Sequence, residues 1–297
     1  MSEPVTRDSL AAGLGALGLR AGDRAMVHSS LKSLGQVEGG ALAVIGALQD
    51  VLTEEGLLLM PSFNHGAPFH AGGVGYFDPR ETPTENGLIP ETFRALPGVW
   101  RSLNPTHAYC AWGRDAERYL NRHHLTLTMG PDSPQGILCR EGGLCLFLGT
   151  DYFTNTFKHV VEMSTGAPCL GRRTLELPVH LPDGRAVKLR TWGYRGARCP
   201  ISDPHEYADR EMERRGLHRR AQIGRSTVTL LRLTDFFQLL AGMLREGYAG
   251  HPPCHECPVR PNPTPFDVPS DWDDGANDLL PDSPSRALGP LAWHNSG

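Results

Sequence analysis

The stretch Ala25-Met26-Val27-His28-Ser29-Ser30-Leu31-Lys32-Ser33-Leu34-Gly35, with Gly39-Gly40 and residues 41–52 behind it, decides the fold class. Residues 25–27 form an apolar run after a Gly22-Asp23 turn, the pattern of a buried strand. The run opens into hydroxyls and a glycine. Leu42, Ile45, Leu48, Gln49 and Leu52 then fall mostly on one helical face. A second apolar run, residues 57–60, follows. Strand, serine-rich turn, helix and strand in that order predict an α/β unit.

Upstream, residues 9–19 read as a short amphipathic helix. Downstream, residues 64–97 are rich in Gly and Pro and contain Phe77-Asp78-Pro79 and Asn86-Gly87, which predicts a long loop. A third apolar block, residues 144–148, ends at Gly149, and Thr154-Asn155-Thr156 supplies caps for a helix over residues 157–163. Asp183-Gly184 marks a hairpin whose second arm is residues 187–191, and residues 207–215 and 234–246 read as helices. The expected organisation is a mixed α/β core over residues 1–249, a Cys/His/Pro-rich extension over 250–269 and a disordered tail over 270–297.

Of the 297 residues, 39% are hydrophobic and 21% charged, enough apolar material for a sizeable core. The net charge of −4 supplies no basic field for nucleic acid or an anionic membrane, and no run approaches the ~18 apolar residues of a bilayer span. The first residues lack a charged segment followed by an apolar one, and seven cysteines, an odd number, point to reduced thiols. A cytoplasmic protein is the expectation, without nucleic-acid or membrane partners.

Three segments concentrate chemistry. The turn from His28 to Gly35 can present N–H groups and hydroxyls to a carbonyl or phosphate at a strand end, or only cap a helix. It lacks the glycine spacing of a Walker loop. Arg101-Ser102-Leu103-Asn104-Pro105-Thr106-His107 packs a guanidinium, hydroxyls, an amide and an imidazole around one proline, suited to an anion site or to a turn. In the third, His159 and Glu162 stand three apart on a predicted helix, so a carboxylate can orient the imidazole.

Together these segments resemble the aminoglycoside 3-N-acetyltransferases. The resemblance lies in His28-Ser29-Ser30-Leu31 with Leu34-Gly35, Arg101-Ser102 with Asn104-Pro105-Thr106-His107 and Gly113, and Gly130-Pro131-Asp132-Ser133-Pro134. It continues in Leu148-Gly149 with Asn155-Thr156, His159 and Glu162, and in Ile223-Gly224-Arg225-Ser226, so that it spans roughly residues 10–246. It implies a mixed sheet of the antibiotic N-acetyltransferase type with two lobes and the site between them, acetyl-CoA as donor and a primary amine as acceptor. His159 matches the family's catalytic histidine and takes the general-base role. Glu162 and Asp203, with Glu206 behind them, are the candidates to orient it, because residues 198–206 depart from the family's acidic pattern. The donor is expected against His28, Ser29, Ser30, Leu31, Ser33 and Gly35, with Arg101 and Ser102 nearby.

A thioester is already activated, so an amine can attack it without a protein nucleophile. Cys110 is the rival, as an acyl carrier. The favoured acceptor is an aminoglycoside, with another amine of natural-product biosynthesis close behind, and Asp78, Glu81, Glu85 and Glu91 are the acidic side chains of the long loop. His251, Cys254, His255 and Cys257 could supply ligands to a structural zinc, although no second C-x-x-C completes a ribbon. A zinc-binding or catalytically inactive binding protein on the same fold is the alternative of another class. A monomer or a homodimer fits either.

Overall fold

The computed structural model describes residues 4–167, 169–170, 172–174, 176–181, 183–193, 199, 205–259, 267–272 and 291–297. Helix α1 (Arg7–Leu17) begins with a reciprocal capping box between Thr6 and Ser9 and buries Leu10, Leu14 and Leu17. It leads into β1 (Arg24–Ser29), the short helix α2 (Leu31–Leu34), α3 (Gly40–Leu52) and β2 (Leu57–Phe63). Next come α4 (Leu88–Arg94), β3 (Trp100–Arg101), β4 (His107–Gly113), α5 (Ala116–Leu120), α6 (Pro134–Arg140), β5 (Leu144–Leu148) and α7 (Phe157–Ser164). A set of short strands follows, β6 (Arg172–Thr174), β7 (Leu177–His180), β8 (Ala186–Leu189) and β9 (Trp192–Gly193). The chain then forms α8 (His205–Arg214), β10 (His218–Ile223), β11 (Ser226–Arg232), α9 (Leu233–Glu246), β12 (Asp267–Trp272) and β13 (Trp293–His294).

Eight strands form one mixed sheet in the order β10-β11-β5-β1-β2-β4-β3-β13. β1 runs parallel to both β2 and β5, and every other pairing in the sheet is antiparallel. Successive side chains in a strand face opposite ways. Ala25, Val27, Leu58, Leu146 and Leu148 therefore pack in one core with α1 and α3, whereas Met26, Leu59, Tyr109, Cys145 and Phe147 pack in another with α7 and α9. The result is the mixed α/β architecture expected from the sequence, with smaller sheets of β12-β6-β9 and β7-β8 beside it.

Geometry places the site. The carboxyl ends of β1, β2 and β5 lie at one edge, where α/β sheets form ligand crevices. The antiparallel neighbours begin at the same edge, since Phe63 pairs with His107 and Leu148 with Val228. Two glycines allow the loops to close there. Gly149 has φ +76°, and a Cβ on it would meet the Ser30 carbonyl oxygen at 2.7 Å. Gly224 has φ +59°, with the Leu34 carbonyl 2.4 Å from where its Cβ would be. The Arg225 N–H donates to that Leu34 carbonyl at 3.1 Å, so the β10-β11 turn props the serine turn after β1.

Several expectations change. The loop over residues 64–97 contains helix α4, which Gly87 and Pro90 conceal in the sequence. Leu42 is exposed, and α3 buries Ala41 and Val44 beside Ile45 and Leu48 instead. The tail does not end free. β13 pairs with β3, and the Asn295 side chain donates to the Ala95 carbonyl at 2.6 Å, because β3 would otherwise present an unpaired edge. No helix among the described residues is long and apolar enough to cross a membrane.

Candidate active site

A cavity of about 660 Å³ opens at the carboxyl edge of the sheet. One wall is His28 and Ser29 at the end of β1, with Ser30, Leu31, Lys32 and Gly35 in the turn beyond. Pro61 of β2, residues 85–87 before α4 with Leu88 at its start, and Thr154 and Thr156 before α7 complete the lining. His28 Nε2 and Ser29 Oγ are buried with no hydrogen-bond partner among the described residues. Buried polar atoms are normally satisfied, so these two unsatisfied atoms set the end of β1 apart from the rest of the strand. Burial alone pushes His28 down to about 4, so its imidazole is neutral at pH 7. Ser33 is not on the wall; its hydroxyl lies 2.8 Å from that of Ser30 and holds it in place.

α7 carries the acid–base pair. Asn155 Oδ1 accepts from the Phe157 N–H at 3.1 Å, and Gln135 donates to the Thr156 hydroxyl at 2.8 Å, which fixes the start of the helix. His159 Nδ1 lies 2.7 Å from Oε2 of Glu162, whose side chain is fully buried. A carboxylate only accepts, so Nδ1–H donates and the ring lone pair is on Nε2. His159 is itself not on the cavity wall. It stands one turn behind Thr156, its N–H bonded to the Thr156 carbonyl at 3.1 Å.

Beside His159 and His107, which the sequence singled out, the structure gathers His65 and His123. The His65 and His107 rings meet edge-on with centroids 5.3 Å apart. Burial pushes His107 well below its usual value, and His65, His159 and His123 around it push the same way. Thr106 Oγ1, 2.7 Å from His107 Nδ1, orients that ring. His65 has φ +49°, a conformation costly for a side chain with a Cβ. No sequence pattern announces that strain.

Arg101 and Ser102 do not line this cavity. Arg101 is buried, and its guanidinium donates to the carbonyls of Pro79 (3.0 Å), Thr82 (2.6 Å) and Ser62 (3.1 Å). Burial brings it down to about 10, so it remains a cation that pins the loop before α4. Ser102 accepts from the Tyr109 N–H and donates to His123 Nδ1, both at 2.9 Å, because His123 Nε2–H must serve the Thr128 carbonyl. Arg101→Met should cost about 3 kcal/mol or more by stranding three buried carbonyls, while coenzyme A affinity of the folded protein stays within about threefold. Urea unfolding and calorimetric titration check this; lost affinity at unchanged stability would return Arg101 to the donor site.

The remaining expectations separate. Asp203 lies outside the described residues, and Glu206 is exposed in the first turn of α8. Cys110 is fully buried in β4, and burial pushes its thiol up, opposite to the thiolate an acyl carrier needs. The zinc expectation is corrected: among the described residues no three His, Cys, Asp or Glu side chains converge on a metal position. The Cys254 N–H instead donates to the Leu244 carbonyl at 2.7 Å, and its half-buried thiol is pushed up to about 12. His255 turns outward to Glu256 at 3.4 Å, and His251 pairs through its backbone with Tyr248.

A cleft at the carboxyl edge of a mixed sheet, with a half-buried histidine on a buried glutamate beside it, is suited to group transfer with proton movement. The family model for aminoglycoside 3-N-acetyltransferase matches residues 26–245. The chain is 32% identical over 258 residues to aminoglycoside N(3)-acetyltransferase VII of Streptomyces paromomycinus, covering 78% of this chain and 88% of that one. It is 38% identical over 186 residues to the aminoglycoside N(3')-acetyltransferase-like protein YokD of Bacillus subtilis, 54% of this chain and 65% of that protein. Its fold matches the solved structure of AAC-IIIb in a binary complex with CoASH at a TM-score of 0.74 and 27% identity, over 84% of this chain and all of the other. The chain belongs to the aminoglycoside 3-N-acetyltransferase family, and it is an acyltransferase.

Proposed function

We propose that the protein transfers the acetyl group of acetyl-CoA to a primary amine, with an aminoglycoside as acceptor, and that residues 1–249 are the transferase unit. The observation that carries this is the His159–Glu162 pair standing one turn behind the wall of the 660 Å³ cavity. A relative solved with CoASH supports the donor, and the names of the family and of its curated members support the acceptor.

The donor lies along His28, Ser29, Ser30, Leu31 and Gly35, which line the cavity together. The acceptor nitrogen attacks the thioester carbonyl directly: a C–N bond forms, the C–S bond breaks, and the thiolate leaves. His159 takes the nitrogen's proton on Nε2, directly or through a water, and Glu162 stabilises the resulting imidazolium. The load on this base is modest, since an amine of pKa ~8 costs only about 1.4 kcal/mol to deprotonate at pH 7. Proximity supplies most of the remaining rate.

A different amine is the second reading, favoured by one observation. Of the loop carboxylates, Asp78 is tied to Arg80 and Glu91 to Arg94, which leaves Glu81 and Glu85 for a cationic ligand. The test is a panel of amines with acetyl-CoA, reading free thiol and product mass. Thiol release that requires both substrates is expected. An acetylated protein thiol after donor alone, or no transfer to any amine, would overturn direct transfer.

A further inference from the structure

Gln135, in the first turn of α6, is fully buried. Its place is tightly set. Ser133 caps the helix by accepting from the Gly136 N–H and donates to the Gly130 carbonyl at 2.7 Å, and the Pro131 carbonyl leaves no room for a Cβ on Gly136. From there Gln135 Nε2 donates to the Thr156 hydroxyl at 2.8 Å, while Oε1 is buried with no hydrogen-bond partner among the described residues. A buried amide with half its capacity unmet costs stability, and an apolar side chain of the same size would fill the space without that cost. What the amide supplies instead is one bond, to Thr156.

Thr156 is the N-cap residue of α7, yet its side chain makes no cap hydrogen bond. A threonine at such a position ordinarily accepts an N–H of the first turn. Here Asn155 Oδ1 takes the Phe157 N–H, so the threonine hydroxyl is not what starts the helix. A hydroxyl has one proton and two acceptor sites. Gln135 fills one acceptor site, and among the described residues no protein group accepts the proton. Thr156 is half-buried and lines the cavity at the carboxyl edge of the sheet, and His159 stands one turn further along the same helix. The hydroxyl is thus held by its oxygen, with its proton free to turn into the cavity.

We propose that Gln135 is a positioning residue for acetyl transfer, holding the Thr156 hydroxyl so that its O–H donates to the thioester carbonyl oxygen. The inference rests on the acetyl-transfer reading. Negative charge grows on that oxygen as the amine attacks, and a donor fixed beforehand serves the developing charge without reorganising. The hydroxyl donates a hydrogen bond and keeps its proton, so the bonds made and broken are those of the direct transfer. Gln135 does not itself line the cavity, so it acts only through Thr156, and its effect disappears once that hydroxyl is gone.

The test is a double-mutant cycle of Gln135→Met and Thr156→Val in the full chain, reading free thiol from acetyl-CoA with an amine of the same panel. Gln135→Met should lower kcat by about tenfold or more, with KM for acetyl-CoA within about threefold and the urea midpoint little changed. Placed on Thr156→Val, it should lower kcat by no more than about twofold further. Thr156→Ser, which keeps the hydroxyl, should retain kcat within about fivefold. Gln135→Leu repeats the cycle, and keeps it decisive where Gln135→Met does not fold. Unchanged or higher kcat in the Gln135 variants overturns the role of Gln135 and leaves the transfer reading standing. Equal losses in the threonine and valine backgrounds also overturn it, because packing alone then accounts for them. A parent that acetylates no amine removes the transfer reading, and this inference with it.

Discussion

Replacing His159 with alanine lowers kcat for acetyl transfer by about 10²–10⁴, the usual contribution of a positioned general base, while KM for acetyl-CoA changes little. The split follows from geometry, because His159 stands behind Thr156 and leaves the cavity wall of His28, Ser29 and Ser30 intact. The substitution also removes the 2.7 Å partner of Glu162, which is fully buried. Losing a buried hydrogen-bond partner lowers stability, so the kinetics of the variant belong at a temperature where it is folded. Glu162→Gln separates the two effects. The amide still receives Nδ1–H but no longer stabilises an imidazolium, so kcat falls with little loss of stability. Partial rescue of His159→Ala by added imidazole is expected. Turnover within about threefold of the parent would take the base role from His159.

What the sequence disclosed and what it hid have physical reasons. β1 and β5 are continuous apolar runs because both faces of their strands are covered, and such runs stand out in any sequence. β4 is buried just as deeply, yet it reads His-Ala-Tyr-Cys-Ala-Trp-Gly and carries no β-branched residue, so local propensity does not mark it. Its pairing with β2 is a tertiary fact. The same holds at the site. His159 and Glu162 are three apart on one helix and could be joined in advance, whereas His65, His107 and Glu85 come together only through the pairing of Phe63 with His107 and the fold of the long loop. Arg101 is the converse case. Its neighbours Ser102, Asn104 and His107 look like an anion site in sequence, and the guanidinium instead spends its donors on backbone carbonyls that would otherwise be buried unpaired. A motif thus locates a functional region without saying which of its side chains face the ligand.

The buried histidines make acid stability the second large effect. Burial pushes His28 and His123 each down to about 4 from 6.5. His28 packs against the Phe147 ring at 5.7 Å, and His123 is engaged on both nitrogens by Ser102 and Thr128. Among the described residues neither imidazole has a carboxylate as hydrogen-bond partner. The folded value lies below the unfolded one, so the unfolded chain binds protons first as the solution is acidified. The stabilisation is therefore complete above pH 6.5 and is lost progressively as pH falls from there towards 4. By pH 5 each histidine removes about 2 kcal/mol, so the pair alone takes about 4 kcal/mol, a large share of a typical 5–15 kcal/mol. His65 and His107 are lowered by burial as well and add to the loss. Carboxylates act in a different window. The Arg214 guanidinium beside Glu211 holds its carboxyl down to about 2, so that contribution is present above the usual carboxylate value of 4.5 and declines only below it. Urea unfolding at pH 7.5 and 5.0 thus isolates the histidines, with a fall of about 4 kcal/mol or more expected between the two. In His123→Gln the same comparison should give a drop smaller by about 2 kcal/mol, whatever the variant's absolute stability, because one of the two proton sites is gone. A urea midpoint that stays level between pH 7.5 and 5.0 would mean that these imidazoles accept protons in the folded chain, and the neutral donor wall built around His28 would have to be redrawn.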